Sequence, residues 1–415
     1  MMKSNNLQFQ ARFTQHSAIF FGIGLLLLLV VTYLIYRPGI TGGLLLDDFW
    51  NLRAIGENGG ITSFDSFRQF VFNNNSGPTG RPVSMASFLI DGQNWPPYVP
   101  SFKYTNILIH LLSGVTLCWF ALLLSQALNL KANQSSWFAL AVAGIWLLHP
   151  LNISTVLYVV QRMTQLMTLF ALAALVCYLS GRRLLDSNPF RAAILLGLCL
   201  FPFGLLSVLS KENGALLLLL IVVMEFTIFQ ERSREGVFKL WFYAGVLFPL
   251  LIVIGYLIYS APENLALYDI RSFSLSERLL TETRILVTYL SKILLPNITG
   301  DGLYHDDLLV STSLLQPVTT LFSFALLLGI FCSAFYFRRT QPVYAFAVFW
   351  FFTMHILESS YVPLELYFEH RNYMAMIGPL FAVAWYVREI FVGASRNWQA
   401  LLKFWCLQFS QFLFG

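Results

Sequence analysis

Two adjacent carboxylates, Asp47 and Asp48, follow the first apolar stretch of this 415-residue chain, in the run Gly-Gly-Leu-Leu-Leu-Asp-Asp-Phe-Trp. Charge beside lipid is costly, so a paired acid at the mouth of a membrane helix marks a site of chemistry. One of the two has a plain structural use, as the N-cap of a helix over 49–56. The other is left to act: an ionised carboxylate facing a hydroxyl can orient it and take its proton. The run Asn73-Asn74-Asn75-Ser76-Gly77-Pro78-Thr79-Gly80-Arg81-Pro82 then ends in a fixed cation. After it, Met85, Phe88 and Leu89 are spaced for a short helix at the membrane surface. Further ionisable groups are His149, Arg162, Lys211-Glu212, Glu365 and Glu369-His370-Arg371. Arg81, Arg162, Lys211 and Arg371 suit a phosphate, whose growing negative charge a guanidinium or ammonium stabilises. His149, Glu212, Glu369 and His370 are expected beside them, lining the substrate. Singly, each has a plainer use as an interfacial anchor, a helix-terminus charge or a packed core residue. His305-Asp306-Asp307 offers ligands for a divalent cation, the one cofactor these residues leave open. A solvated loop accounts for that trio more simply, since the ligand set is incomplete.

What must position these groups is membrane-embedded. The chain is 57% hydrophobic and only 11% charged, with a mean hydropathy of +0.65. Soluble domains carry roughly a quarter charged residues. Apolar stretches near membrane-spanning length give about ten helices. They are expected near 17–36, 104–125, 136–149, 162–181, 191–209, 212–230, 238–259, 317–337, 342–357 and 373–392. The fold class is therefore an all-α, polytopic transmembrane bundle. Lys3 and Arg12, Lys131, Arg182 with Arg183 and Arg191, Arg232 with Arg234 and Lys239, Arg338 with Arg339, and Arg388 with Arg396 and Lys403 fall on every second connection. That alternation puts them, and both termini, in the cytoplasm. The opposite face then holds long loops at 37–103 and 260–316, the corner 150–161, the Ser210–Asn213 corner and the connection 358–372, where nearly all the chemical groups lie.

Within the second loop, Ser276 to Pro296 is amphipathic. Leu279, Leu286, Leu290 and Ile293 mark its apolar side, with Glu277, Arg278, Glu282, Arg284 and Lys292 left for a polar side, so a helix lying along the interface is expected. Residues 1–397 read as one catalytic domain and 398–415 as a short apolar tail. The first apolar run is long enough to span and lacks a small-residue cleavage site, so no cleaved signal peptide is expected. The five cysteines, Cys118, Cys177, Cys199, Cys332 and Cys406, show no paired spacing and read as small core residues. A net charge of +5, spread over short loops, points to no nucleic-acid partner.

Acids and cations gathered on one membrane face suit transfer of a sugar from a polyprenyl-phosphate carrier. The chain also resembles the C-type membrane glycosyltransferases, and within them the transmembrane, tetratricopeptide-repeat protein O-mannosyltransferases and their bacterial relatives, pilin glycosyltransferases included. The resemblance rests on Leu46-Asp47-Asp48-Phe49, Gly80-Arg81-Pro82-Val83-Ser84, Phe102 to Leu112, Leu148-His149-Pro150, Leu209-Ser210-Lys211-Glu212 and Phe368-Glu369-His370-Arg371-Asn372-Tyr373, in order along most of the chain. It implies an extracytoplasmic active site, inversion at the anomeric carbon, and an acid of the first loop as the activating base. Asp47 is the first choice for that base because the leading acid of such a pair is the usual one in relatives; Asp48 would partner it or orient the acceptor. The expected partners are a lipid-linked sugar and a protein or glycan acceptor, in a bacterial inner membrane. No tetratricopeptide region follows the last helix, so transfer of mannose to protein does not follow from the resemblance.

Three other readings compete. A lipid-linked sugar flippase or transporter would place ionisable groups at mid-membrane. Here Glu225 lies toward the cytoplasmic end of its helix and His110 is the main exception. An O-antigen ligase or polymerase would work on the same face with a pyrophosphate-linked oligosaccharide. A non-catalytic assembly protein would use the long loops as binding surfaces.

Overall fold

The computed structural model describes residues 2–56, 60–93, 95–296 and 308–392, with side chains from residue 18. His305, Asp306, Asp307 and the tail 398–415 lie outside the described residues, as does part of the loop 260–316. The regular structure is helical, with one isolated antiparallel bridge, Ser313 to Gln316, and no strand among the described residues.

Among the described residues six helices are long and apolar enough to cross a membrane: Ala18–Thr41, Val99–Ala127, Val159–Leu184, Pro189–Ser210, Gly236–Ile270 and Thr319–Phe337. A bent pair, Glu369–Ala375 with Ile377–Val392, brings the number to seven if it counts as one crossing. Against the ten expected spans, six or seven candidates meet the length of a crossing among the described residues. Three of the expected segments form shorter helices: Ala132–Leu147, Pro342–His355, and Leu217–Thr227 preceded by a tight turn at Glu212–Leu216. At 1.5 Å per residue, about 16 residues reach only about 24 Å. One correction concerns 238–259, which runs on to Ile270 and shortens the loop after it.

Local chemistry sets many of the helix starts. Pro82, Pro189 and Pro342 sit in first turns, where a missing N–H is harmless. Ser63 and Ser274 close capping boxes with Ser66 and Glu277. The break after Ala375 bends its pair by 56°. It frees two carbonyls, and two buried indoles take them: Trp146 Nε1 donates to Tyr373 O and Trp350 Nε1 to Met374 O, each at 2.9 Å. An open helix turn inside an apolar bundle needs such donors. Nearby, His110 is buried between Tyr373 Oη at 2.8 Å and Leu147 O at 3.1 Å.

Packing is uneven across the bundle. Val159–Leu184 is the central helix, with 83% of its apolar window buried, whereas Phe248–Ala266 buries no residue. The many exposed large apolar side chains of the peripheral helices form a surface for lipid rather than water. Of the cysteines, Cys118 and Cys199 are buried and Cys177 is half-buried. Cys332 is exposed, which corrects its reading as a core residue, and Cys406 lies outside the described residues.

The long first loop folds onto the bundle as three short helices, Asp47–Leu52, Phe64–Phe72 and Pro82–Phe88. Arg162 pins it. This residue is fully buried, and its guanidinium reaches Asp91 at 2.5 Å, Asn106 Oδ1 at 2.8 Å, and Ser87 O and Phe102 O at 2.9 Å. The same group lies over the rings of Phe88 and Phe102, 4.8 and 5.6 Å from their centroids. Asp91 is held from its other oxygen by Thr105 Oγ1 at 2.5 Å. Removing one partner of a buried ion pair costs about 3–5 kcal/mol, because the other charge stays buried. Arg162→Met should therefore lower the thermal unfolding midpoint in detergent sharply. Arg162→Lys, which cannot reproduce the four-way contact, should recover only part of the loss; a midpoint unchanged in both variants would show that the loop docks without this residue.

Candidate functional site

The end of the bundle that carries the loops holds a cavity of about 570 Å³. Its walls come from the start of Asp47–Leu52, the Pro78–Arg81 turn, Val160–Met163, the Lys211–Asn213 corner, the Tyr256–Arg271 stretch and the connection from Leu357 to Arg371. That volume falls within the usual range for small-ligand sites.

The two aspartates are separated by their surroundings. Asp48 is fully buried, and its oxygens accept from Leu45 N at 2.9 Å and Val160 N at 2.7 Å. Burial pushes its carboxyl up to about 6 against those backbone donors. Its place is that of a clip between the first loop and the segment before Arg162. Asp47 is exposed and lines the cavity, while its backbone N–H donates to Tyr158 Oη at 2.8 Å. Burial first, and then the Asp47 carboxylate, raise the Tyr158 hydroxyl well above its ordinary range, so it stays protonated. Asn51 Nδ2 closes the turn on Asp47 O at 2.8 Å. Asp47 is left as the carboxylate of the pair that a bound molecule can reach. Asp48 sits within the first turn of its helix, and the residue before that turn, Leu46, has a φ of 35°.

The cations also divide. Arg81, Lys211 and Arg371 line the cavity; Arg162 does not, and its donors are occupied as described above. Arg81 binds Glu212, with Nε and Nη2 at 3.0 and 2.9 Å from Oε2, and Thr79 Oγ1 donates to the other oxygen at 2.9 Å. The turn that delivers Arg81 depends on Gly77, whose φ is +82°. A Cβ there would come within 2.7 Å of Glu212 Oε1 and 2.8 Å of Arg81 Nη2. Lys211 Nζ donates to Glu358 Oε1 at 2.7 Å and Thr164 Oγ1 at 3.2 Å. Arg371 lies 3.5 Å from Glu282 and 3.9 Å from Glu358 and donates to the carbonyls of Leu366, at 2.7 Å, and Glu365. His370 is buried in the cavity wall and stacks on Phe368 with centroids 4.9 Å apart. Glu369 pairs with Lys292 at 3.5 Å. His149 lies apart, buried, with Nε2 3.1 Å from Ile293 O.

Three residues central to this wall carry no expectation from the sequence, or the opposite one. Glu358 is buried and bridges Lys211 and Arg371. Its signal was available: a lone acid following an apolar helix, the same pattern that marks Asp47. Arg278 and Glu282 are expected on the polar side of an interfacial helix, but both are buried, 3.2 Å apart. The buried stripe of Leu275–Leu294 is Arg278, Thr281, Glu282, Ile285, Tyr289 and Ile293, so charged and apolar residues share one face, while Leu279 is exposed. The helix packs by that mixed stripe because Arg278 supplies donors to the carbonyls of Glu358, Ser360 and Leu364, in a connection with no helix of its own.

The cluster of Lys211, Arg278 and Arg371 against Glu282 and Glu358 sets three positive charges against two negative. Burial opposes ionisation of both acids and pushes Glu282 up. At Glu358 the facing Lys211 and Arg371 overcome burial and hold the carboxyl down at about 2. The wall thus carries positioned cationic donors, Lys211 and Arg371, in the same cavity as the reachable carboxylate of Asp47. Among the described residues no group of three metal-binding side chains forms. Searches of protein-family models, curated proteins and solved structures each gave no match to this chain.

A carboxyl held below its unfolded value of 4.5 stabilises the fold fully above that pH and loses the contribution as pH falls toward about 2. Wild type should therefore unfold at higher temperature than Glu358→Gln at pH 6, and the gap should close as pH is lowered through that window. A gap that stays constant down to about pH 2 would remove the charge of Glu358 as its cause.

Proposed function

We propose that this protein is a polytopic membrane glycosyltransferase of the C type, which moves a monosaccharide from a polyprenyl-phosphate donor to a hydroxyl acceptor. The observation that carries the reading is the cavity itself, with the exposed carboxylate of Asp47 in one wall and Lys211, Arg371 and Arg81 in others. In the reaction, the acceptor oxygen attacks the anomeric carbon from the face opposite the phosphate, and Asp47 takes the hydroxyl proton. The bond from that carbon to the phosphate oxygen breaks, and the polyprenyl phosphate leaves with the electron pair, giving inversion. Lys211 and Arg371 receive the charge that grows on the phosphate. Arg81, set by Glu212, is the third donor to the phosphate. His370 and Glu369 support Arg371 from the same turn, and Asp48 holds Asp47 in register.

The topology that goes with this reading has ten crossings: the six long helices, the bent pair as one, and Ala132–Leu147, Glu212–Thr227 and Pro342–His355 as short ones. An even number keeps both termini on one side, and the basic connections make that side the cytoplasm of a bacterial inner membrane. The cavity then opens on the extracytoplasmic side, where a protein such as a pilin, or a glycan or lipid, is the acceptor.

The test uses the full chain in lipid nanodiscs with a panel of radiolabelled polyprenyl-phosphate sugars and a hydroxyl acceptor. Loss of a positioned base costs roughly 10²–10⁴-fold in rate. Asp47→Asn should lose turnover on that scale while still binding the donor, and Lys211→Gln should weaken donor binding as well. Wild-type turnover in Asp47→Asn would sink the mechanism. Movement of the donor across the bilayer with no transfer to any acceptor would replace it with a flippase.

A further inference from the structure

The opposite end of the bundle holds a second cavity, of about 380 Å³, unrelated to the site above. It opens between the ends of Val99–Ala127 and Val159–Leu184 and the turn that follows Leu217–Thr227. Three arginines line it, Arg182, Arg183 and Arg232, and no carboxylate does so among the described residues. Gln126 completes the polar side, and the rest of the lining is apolar, Leu123, Leu179 and Phe229 among it.

The three guanidinium groups are differently placed. Arg182 is buried and committed: it donates to Glu225 at 2.9 Å and to Ser233 O at 3.1 Å and lies 4.1 Å from the Phe238 ring centroid. Glu225 also receives Arg234 at 3.0 Å and Tyr178 Oη at 2.6 Å, so its single charge is shared. Arg183 and Arg232 are exposed and form no ion pair among the described residues. Arg183 donates only to the neutral Gln126, at 2.9 Å, and Arg232 rests 5.4 Å from the Phe229 centroid. Asp186, Glu231 and Glu235 lie on the same segments but outside the cavity lining, so the charge the cavity itself presents is that of its arginines. The helix carbonyl ends nearby carry partial negative charge and work against an anion, but far more weakly than two unpaired guanidinium groups.

We propose that this cavity binds the phosphate headgroup of an anionic glycerophospholipid, with Arg183 and Arg232 holding the phosphate and the leucine and phenylalanine wall taking the glycerol and first methylenes of the chains. Two features choose a lipid over a soluble phosphate. The cavity lies at the ends of two membrane-length helices, where headgroups sit, and much of its lining is apolar, which a free phosphate would not use. The inference does not depend on the enzymatic reading.

The experiment is native mass spectrometry of the full chain in detergent, titrated with equal phosphatidylglycerol and phosphatidylcholine. Each surface arginine near an anionic lipid strengthens its binding severalfold. Wild type should therefore favour phosphatidylglycerol, and R183Q/R232Q should lose roughly tenfold or more of that preference. R183K/R232K, which keeps the charge, should retain most of it. Both positions are exposed, so the variants are expected to fold; an unchanged unfolding midpoint checks this. An unaltered lipid preference in R183Q/R232Q would overturn the site. Displacement of phosphatidylglycerol by millimolar inorganic phosphate would overturn the lipid assignment in favour of a soluble phosphate.

Discussion

The place of the first loop at the cavity depends on one buried cation. Arg162 begins the most buried helix of the bundle, and its guanidinium joins that helix to Phe102 and Asn106 of a second helix and to Ser87 and Asp91 of the first loop. A planar group with five donors can hold several carbonyls and a carboxylate at once, which an ammonium cannot. Two residues earlier, the N–H of Val160 binds Asp48. Four residues earlier, Tyr158 binds the backbone of Asp47. A segment of five residues thus sets the position of the whole acidic turn. The loop is long, but the part of it that meets the cavity is fixed from the core outward.

Guanidinium groups serve the far wall in the same way. The connection between Pro342–His355 and the bent pair has few backbone partners of its own, and Arg278 and Arg371 bind its carbonyls at Glu358, Ser360, Leu364, Glu365 and Leu366. Those arginines need counter-charges in a dry setting, which Glu282 and Glu358 supply. Lys211 joins through Glu358. Structural satisfaction of a loop and the electrostatic character of the cavity therefore come from the same side chains. A substitution made to probe one will disturb the other unless it keeps the hydrogen-bonding shape.

Much of this was legible in the sequence. The apolar runs and sparse charge announce a helical membrane protein, and the cavity does gather Asp47, Arg81, Lys211, Glu212, His370 and Arg371 from distant segments. Three things were hidden, each for a physical reason. Arg162 and Arg81 look alike in sequence, yet one is enclosed by aromatic rings and carbonyls and the other faces the cavity, a difference made only by tertiary contacts. The buried face of Leu275–Leu294 was hidden because charge ordinarily faces water, whereas Arg278 and Glu282 face the core. An arginine that satisfies the carbonyls of another segment reverses that rule. The lengths of Ala132–Leu147, Leu217–Thr227 and Pro342–His355 were hidden because apolar character marks a segment as lipid-compatible without fixing where its helix starts and stops.

The helix Phe248–Ala266 contributes Tyr256, Leu257 and Ser260 to the wall of the larger cavity, yet it buries none of its side chains in protein. Polar ties hold it near the rest: Tyr361 Oη donates to Leu257 O at 2.6 Å, and Tyr268 Oη donates to Tyr361 O at 3.0 Å. In a bilayer, packing on the outer side of this wall would fall to lipid chains, which makes the bilayer a structural component of the cavity. Membrane thickness and chain order become variables of the chamber's shape, and replacing lipid by detergent alters the chamber without changing a residue.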